Sequence, residues 1–177
     1  DYMDALSKGI ERRAKKAPFY SRWLFNIEAK RLSNYERKVF DYFENQVMIS
    51  EQDKNYIIHP DRNKIKCIPN GVDDSFFENI DCKKDSDIVF VGNLSYAPNI
   101  EAVHYLVEKI APYFIKENPN FKILLSGATP SNSIKKLIKD NPNIELTGWV
   151  KDIRTSYSRG KVFVAPMMIG TGMQNKL

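Results

Sequence analysis

Cysteine and histidine are scarce in this chain, and each scarcity removes a class of chemistry. The only cysteines among its 177 residues are Cys67 and Cys82. They form neither a Cys-x-x-Cys pair nor a disulfide framework, so a reduced, cytoplasmic setting is the simpler expectation. The two histidines, His59 and His104, lie far apart with no ligand-like neighbour, so no metal site is expected. No apolar run is long enough to cross a bilayer, and no leader pattern precedes the first element. Internal repeats and low-complexity tracts are absent as well. The chain opens on Asp1 and stops at Leu177 inside what reads as a new helix, so both ends are expected to be cut.

What is there is ordinary globular material: 42% hydrophobic and 28% charged residues, well away from the disordered class. With 27 Lys and Arg against 22 Asp and Glu, the formal charge is +5. This favours anionic partners without choosing among nucleic acid, phosphorylated ligands and membrane headgroups. The cations are concentrated before residue 74 and lack the aromatic interleaving of a single-strand-binding surface, so nucleic acid is not expected.

Periodicity divides the chain. Residues 1–16 are polar and basic. From Phe19 to Glu44, Trp23, Ile27, Leu32, Tyr35, Val39 and Phe43 recur at helical spacing, one apolar stripe on a long amphipathic helix. Gln46 to Ser50 reads as a short strand, and Ser50 with Asp53 resembles a capping box opening a helix through Ile57. Lys64 to Ile68 reads as a strand stopped by Pro69-Asn70-Gly71. Residues 1–73 are therefore assigned to a first unit, 74–87 to a polar linker, and 88–177 to a second domain.

In that second domain strands and helices alternate: strands at 88–91, 122–125, 144–147 and 162–165, and helices at 99–116, 131–140 and 153–158. Short apolar strands alternating with amphipathic helices predict an α/β fold, a Rossmann-like parallel sheet covered on both faces. Ligands of such sheets bind beyond the carboxyl ends of the strands. Gly92-Asn93 follows the first strand, and a glycine there either lets backbone approach a ligand closely or makes a structural tight turn. Gly127 follows the second strand, and Gly148-Trp149-Val150 the third; Trp149 is either a packed indole or a base-stacking surface. Gly170-Thr171-Gly172-Met173 leads into an apparent helix start with Lys176 in its first turns, an arrangement suited to phosphate, the alternative being a flexible glycine turn with a solvated lysine. Neither the dinucleotide fingerprint nor a P-loop is present. No nucleophile sits beside a base in any of these loops. Asp152 and Arg154 are expected to pair or cap locally, and His104 to lie at the surface. From residues alone the reading ends at an α/β domain that binds a phosphorylated ligand.

Taken together, the loops resemble the group-one glycosyltransferases of the GT-B fold, above all bacterial enzymes of polysaccharide biosynthesis. The resemblance runs from about Tyr35 to Leu177. It rests on Val47-Met48-Ile49-Ser50-Glu51, Ile68-Pro69-Asn70-Gly71-Val72-Asp73, Val89-Phe90-Val91-Gly92-Asn93-Leu94, Thr147-Gly148-Trp149-Val150 with Asp152, Val164-Ala165-Pro166, and Gly170 to Leu177. It implies the tail of an acceptor-side domain followed by a truncated nucleotide-sugar-binding domain. It also implies retaining transfer of a sugar from a UDP- or GDP-sugar to a glycan or lipid-linked acceptor, without an obligatory metal or other cofactor. Carried over by position, Gly92, Asn93, Gly172, Met173 and Lys176 would face the sugar-donor phosphates. Gly127, Gly148, Trp149 and Val150 would lie near the base and ribose. Relatives often carry Arg where this chain has Asn93, and the family's paired acidic motif is expected beyond Leu177, so the catalytic residues are not assigned and the fragment is expected to be inactive. A sugar-nucleotide epimerase and a non-catalytic nucleotide-sugar-binding module are the alternatives. For the basic helical region, Arg12 to Lys38, an ordinary solvated face and a peripheral contact with the inner face of the membrane both stay open, the solvated face being the simpler reading.

Overall fold

The computed structural model describes residues 5–78 and 80–168. These fall into two compact units, 5–71 and 72–168. In the first, helix α1 (Leu6–Lys16) and helix α2 (Phe19–Phe40) form a hairpin. The chain breaks between them at Ala17, whose extended backbone is the conformation favoured before a proline. The sequence reading missed α1 because it buries only Ser7 and Ala14 and so shows almost no apolar stripe. A polar clasp holds it instead: the Ser7 N–H and hydroxyl both donate to the buried Glu36 carboxylate, at 2.9 and 2.6 Å. The N–H is one of those a helix start leaves without an intrahelical partner.

Helix α2 stops at Phe40, short of the expected Glu44. The Gln46 side-chain amide donates to the carbonyls of Phe40 (2.7 Å) and Phe43, and so takes over the end of the helix. Trp23, Ile27, Tyr35 and Phe43 of the expected stripe are exposed, whereas Glu36 and Phe40 are buried. Strand β1 (Val47–Met48) pairs in parallel with β2 (Lys66–Cys67), and Phe40, Met48, Ile57 and Ile65 form a small core. Between the strands lies α3 (Glu51–Lys54), shorter than expected. Ser50 caps it by accepting from the N–H groups of Gln52 and Asp53, but the buried Asp53 carboxylate makes no return bond, so the capping box is only half formed.

The second unit opens with a 3-10 turn, Asp74–Phe77, and builds one four-stranded parallel sheet. Its strands are β3 (Ser86–Val91), β4 (Ile123–Ser126), β5 (Ile144–Gly148) and β6 (Gly160–Phe163), in the order β5-β4-β3-β6. Alternation along β3 sorts the two faces. Ile88 and Phe90 join Ile123, Leu125, Ala102, Val103, Leu106 and Ile134 beneath helices α4 (Ala97–Tyr105) and α6 (Asn132–Ile138). Val89 and Val91 pack with Leu124 against Ile153 and Tyr157 of helix α7 (Ile153–Arg159). The predicted helix 99–116 is interrupted by a π turn, Leu106–Ile110, before α5 (Ala111–Glu117). Pro112 in the first turn of α5 supplies no N–H, which breaks the α-helical ladder at this point. Apart from this break and shifts of one or two residues at element ends, the α/β fold read from periodicity is the one observed.

Candidate functional site

Because all four strands run parallel, the loops that follow them emerge at one edge. The chain moves from β3 outward through β4 to β5, then returns to the other side of β3 as β6. The chain is thus built outward on both sides of β3, β4 on one and β6 on the other, and a reversal of strand order of this kind opens a crevice at the carboxyl edge. The loops after β3, β4 and β5 are joined there through backbone. The Gly92 N–H donates to Ser126 O at 3.0 Å, the Leu94 N–H to Ala128 O at 3.0 Å, and the Gly127 N–H to Gly148 O at 3.0 Å. Gly127 lies so close to its neighbour that an added Cβ would stand 1.7 Å from Gly92 O. Its glycine is thus dictated by contact between loops. Gly148 has φ +71°, a left-handed conformation that glycine adopts without strain.

Asn93 occupies the exposed tip of the first loop. Its Oδ1 accepts from the Ser95 N–H (2.9 Å), the Ser95 hydroxyl (2.8 Å) and the Thr129 hydroxyl (3.2 Å). Its own carbonyl accepts from the buried Asn99 side-chain amide at 2.8 Å. Beneath the second and third loops, Ser126 and Ser156 share a buried hydroxyl bond of 2.6 Å, and Thr147 donates to Ser126 at 2.9 Å. These hydroxyls satisfy one another where the strands end, which keeps the loop bases rigid.

Beyond Gly148, Trp149 is 73% exposed, so the packed-indole reading is wrong and the ring is open to solvent. Val150 is half-buried. Asp152 caps α7 by accepting the Arg154 N–H at 3.0 Å and pairs with the Arg154 guanidinium at 2.8 Å; that guanidinium holds its carboxyl below the usual carboxylate range. Arg154 also donates to Ser75 O at 2.7 Å and reaches Glu78 at 3.4 Å. The loop after β5 is thereby tied to the segment that enters this unit. The reading of the sequence foresaw the local Asp152 pair but not the long-range anchor, because nothing in a linear pattern links residue 75 to residue 154.

Gly92, Asn93, Gly127, Gly148 and Trp149 therefore lie at the same edge of one sheet, with the first four joined by the bonds above. Gly172, Met173 and Lys176, with the rest of the Gly170 to Lys176 segment, lie outside the described residues. His104 pairs with Glu108 at 3.1 Å on the surface of α4, away from the loops. Among the described residues no group of three or more His, Cys, Asp and Glu side chains is placed to hold a metal ion. At the opposite edge Arg159 bridges Asp85 (3.0 Å) and Glu145 (2.7 Å), and Lys161 meets Asp87 at 2.7 Å. These pairs fasten the beginnings of the strands and take no part in the crevice. Thr129, whose φ is +49°, is the residue of this site that the sequence did not disclose; a threonine in that conformation carries no linear signature.

Comparison with known proteins bears on the same region. The model of the family described as "Glycosyl transferases group 1" matches residues 85–177. A curated relative, an "uncharacterized 44.6 kDa protein in cps region" of Klebsiella pneumoniae, is 31% identical over 97 residues, which cover 51% of this chain and 25% of the relative. Among solved structures, TarM aligns over 82% of this chain and 29% of its own, at 17% identity and a TM-score of 0.65. The pneumococcal O-GlcNAc transferase GtfA, solved with UDP and GlcNAc, aligns over 76% of this chain and 28% of its own, at 18% identity and a TM-score of 0.57. At such identities the likeness is one of fold. The chain spans about a quarter of the length of the relatives it matches.

Proposed function

The protein belongs to the group 1 glycosyl transferases, the family whose model covers more than half of its chain, and on that premise we propose that it carries the sugar-donor side of a retaining hexosyltransferase. The substrate is a UDP- or GDP-sugar and the acceptor a glycan or lipid-linked glycan of surface-polysaccharide assembly. One observation carries this reading: the loops of Gly92, Gly127 and Gly148 meet, backbone against backbone, at the carboxyl edge beside the topological switch. A site whose walls are glycine backbone admits a diphosphate closely, because no side chain of Gly92, Gly127 or Gly148 stands in its way.

In this proposal Gly92 and Asn93 face the phosphates, and Gly127, Gly148, Val150 and the exposed Trp149 face the ribose and base. Gly172, Met173 and Lys176 complete the phosphate cradle, a role the family resemblance gives them. Lys176 then neutralises charge developing on the leaving nucleoside diphosphate, and no metal is required for that step. No residue among those described is assigned as the acid that holds the transferred sugar. The relative from a cps region supports a role in surface polysaccharide. Work at the cytoplasmic face of the membrane fits an acceptor carried on lipid.

The test is donor kinetics in the full-length enzyme. Lys176→Ala is expected to raise KM for the nucleotide sugar and lower turnover; unchanged kinetics would overturn the assignment. Product analysis with donor alone separates the alternatives. An epimerase converts it without acceptor, a transferase forms glycosylated product only with one, and a binding module does neither.

A second observation favours peripheral membrane contact. Between Glu11 and Glu28 there are five cations, Arg12, Arg13, Lys15, Lys16 and Arg22, and no carboxylate; this equals the whole formal excess of the chain. Around the turn between α1 and α2 the rings of Phe19, Tyr20 and Trp23 are exposed among these cations. Rings and cations already alternate along Lys15-Lys16-Ala17-Pro18-Phe19-Tyr20-Ser21-Arg22-Trp23; what the structure adds is that the rings are exposed rather than packed. Exposed rings within a local excess of positive charge suit an anionic lipid interface. No helix among the described residues is long and apolar enough to cross a membrane.

A further inference from the structure

We propose that Thr129 is a positioning residue for the nucleotide diphosphate: it fixes the Asn93 carboxamide so that the amide nitrogen faces the crevice as a neutral hydrogen-bond donor. The inference rests on the sugar-donor reading above and deepens it. The orientation of the carboxamide follows from the chemistry of its neighbours. A backbone N–H can only donate, so the atom facing the Ser95 N–H at 2.9 Å is Oδ1. The hydroxyls of Ser95 and Thr129 converge on the same oxygen, at 2.8 and 3.2 Å. With Oδ1 thus engaged, Nδ2 points the other way, and neither it nor the Asn93 backbone N–H has a partner among the described residues. The backbone of the residue is held as well, its carbonyl accepting from Asn99 Nδ2 (2.8 Å) and the Tyr96 N–H (3.2 Å). Two donor nitrogens of one exposed residue therefore stand open at the carboxyl edge, directly after Gly92.

Thr129 holds this arrangement at a cost. Its φ of +49° is an outlier for a β-branched residue, and the following Pro130 further restricts it. A single hydroxyl bond on an exposed loop does not offset such strain, and strain of this kind persists where function needs it. Glycine would adopt the same conformation freely but would leave the Asn93 oxygen without its partner from the second loop. The site thus trades backbone comfort for a fixed amide, which supplies directed hydrogen bonds and no charge.

The experiment titrates the full chain with UDP and, separately, GDP, following the Asn93 side-chain and Gly92, Gly127 and Gly148 backbone amides by NMR and the affinity by calorimetry. In the wild type the Asn93 Nδ2 resonances move on saturation with the nucleotide that binds. Thr129→Gly is expected to melt at or above the wild type, since strain is relieved, yet to bind about five- to tenfold more weakly. Thr129→Ser, which keeps the hydroxyl, stays within about twofold of the wild-type affinity. Wild-type affinity in Thr129→Gly overturns the inference. So do Asn93 side-chain resonances that stay still while the glycine amides move, and so does a Thr129→Gly protein that merely melts earlier in step with its loss of binding. If neither nucleotide moves any of the glycine amides, the sugar-donor reading itself falls, and this inference with it.

Discussion

Replacing Gly127 by alanine is expected to unlatch the loops after β3 and β4. An alanine Cβ would stand 1.7 Å from Gly92 O and 2.7 Å from Gly92 C. A carbon and a carbonyl oxygen come no closer than about 3.3 Å, so the loops must part by about 1.6 Å. The obstruction is backbone on a strand end, which cannot turn aside as a side chain would. Two hydrogen bonds flank the point of contact, Gly92 N–H to Ser126 O and Leu94 N–H to Ala128 O, both 3.0 Å, and neither survives that displacement. Losing them near a buried strand end costs about 1–2 kcal/mol each, and the φ of +149° at Gly127 adds about 1 kcal/mol of strain for a residue with a Cβ. The expected loss is about 3–5 kcal/mol, a large part of the stability of an ordinary domain. Urea unfolding followed by far-ultraviolet circular dichroism measures it. Gly71→Ala is the control: a Cβ there meets nothing within 4 Å, so its change stays within about 0.5 kcal/mol. A Gly127→Ala protein destabilised by less than about 1 kcal/mol would refute the claim that contact between loops dictates this glycine.

Acid is expected to weaken the second unit through the ion pairs at the opposite edge of the sheet. Arg159 holds the Asp85 carboxyl, and Lys161 the Asp87 carboxyl, below the usual range. Groups with lowered folded-state pKa stabilise above their unfolded value and lose that contribution as pH falls through the folded one. Stability should thus be level near neutrality and decline below about pH 4; in urea titrations across pH, Asp85→Asn should flatten this decline, and an unchanged slope would count against the assignment. EDTA is expected to leave sugar transfer by the full-length enzyme unaffected, and loss of activity restored by added magnesium would contradict the metal-free proposal. In vesicle co-sedimentation, the chain should bind membranes rich in anionic lipid. Reversing Lys15 and Lys16 to glutamate should weaken that binding at least about tenfold, since each surface cation contributes about 1 kcal/mol. Equal binding by the reversed protein, or equal binding to neutral vesicles, would rule out an electrostatic contact.

The sequence by itself determined the second unit's fold, and for a local reason. Strands such as Ile88 to Val91 are buried on both faces and so read as short continuous apolar runs, while the helices between them carry one apolar face each; both signals survive in one dimension. The glycines after the strands were legible for the same reason, since position after a strand is a sequence property. What failed to show was whatever depends on a partner distant in the chain. Helix α1 is fastened by Glu36, the end of α2 is set by Gln46, and Arg154 reaches back to Ser75. Tertiary structure alone decided the strand order that puts the switch beside β3, the exposure of Trp149, and the contact that makes Gly127 obligatory. It also decided the strained Thr129 that fixes Asn93. A side chain's neighbours along the chain set its propensity. Which donor meets which acceptor at the edge of the sheet is set by how the strands are ordered and how closely their loops approach.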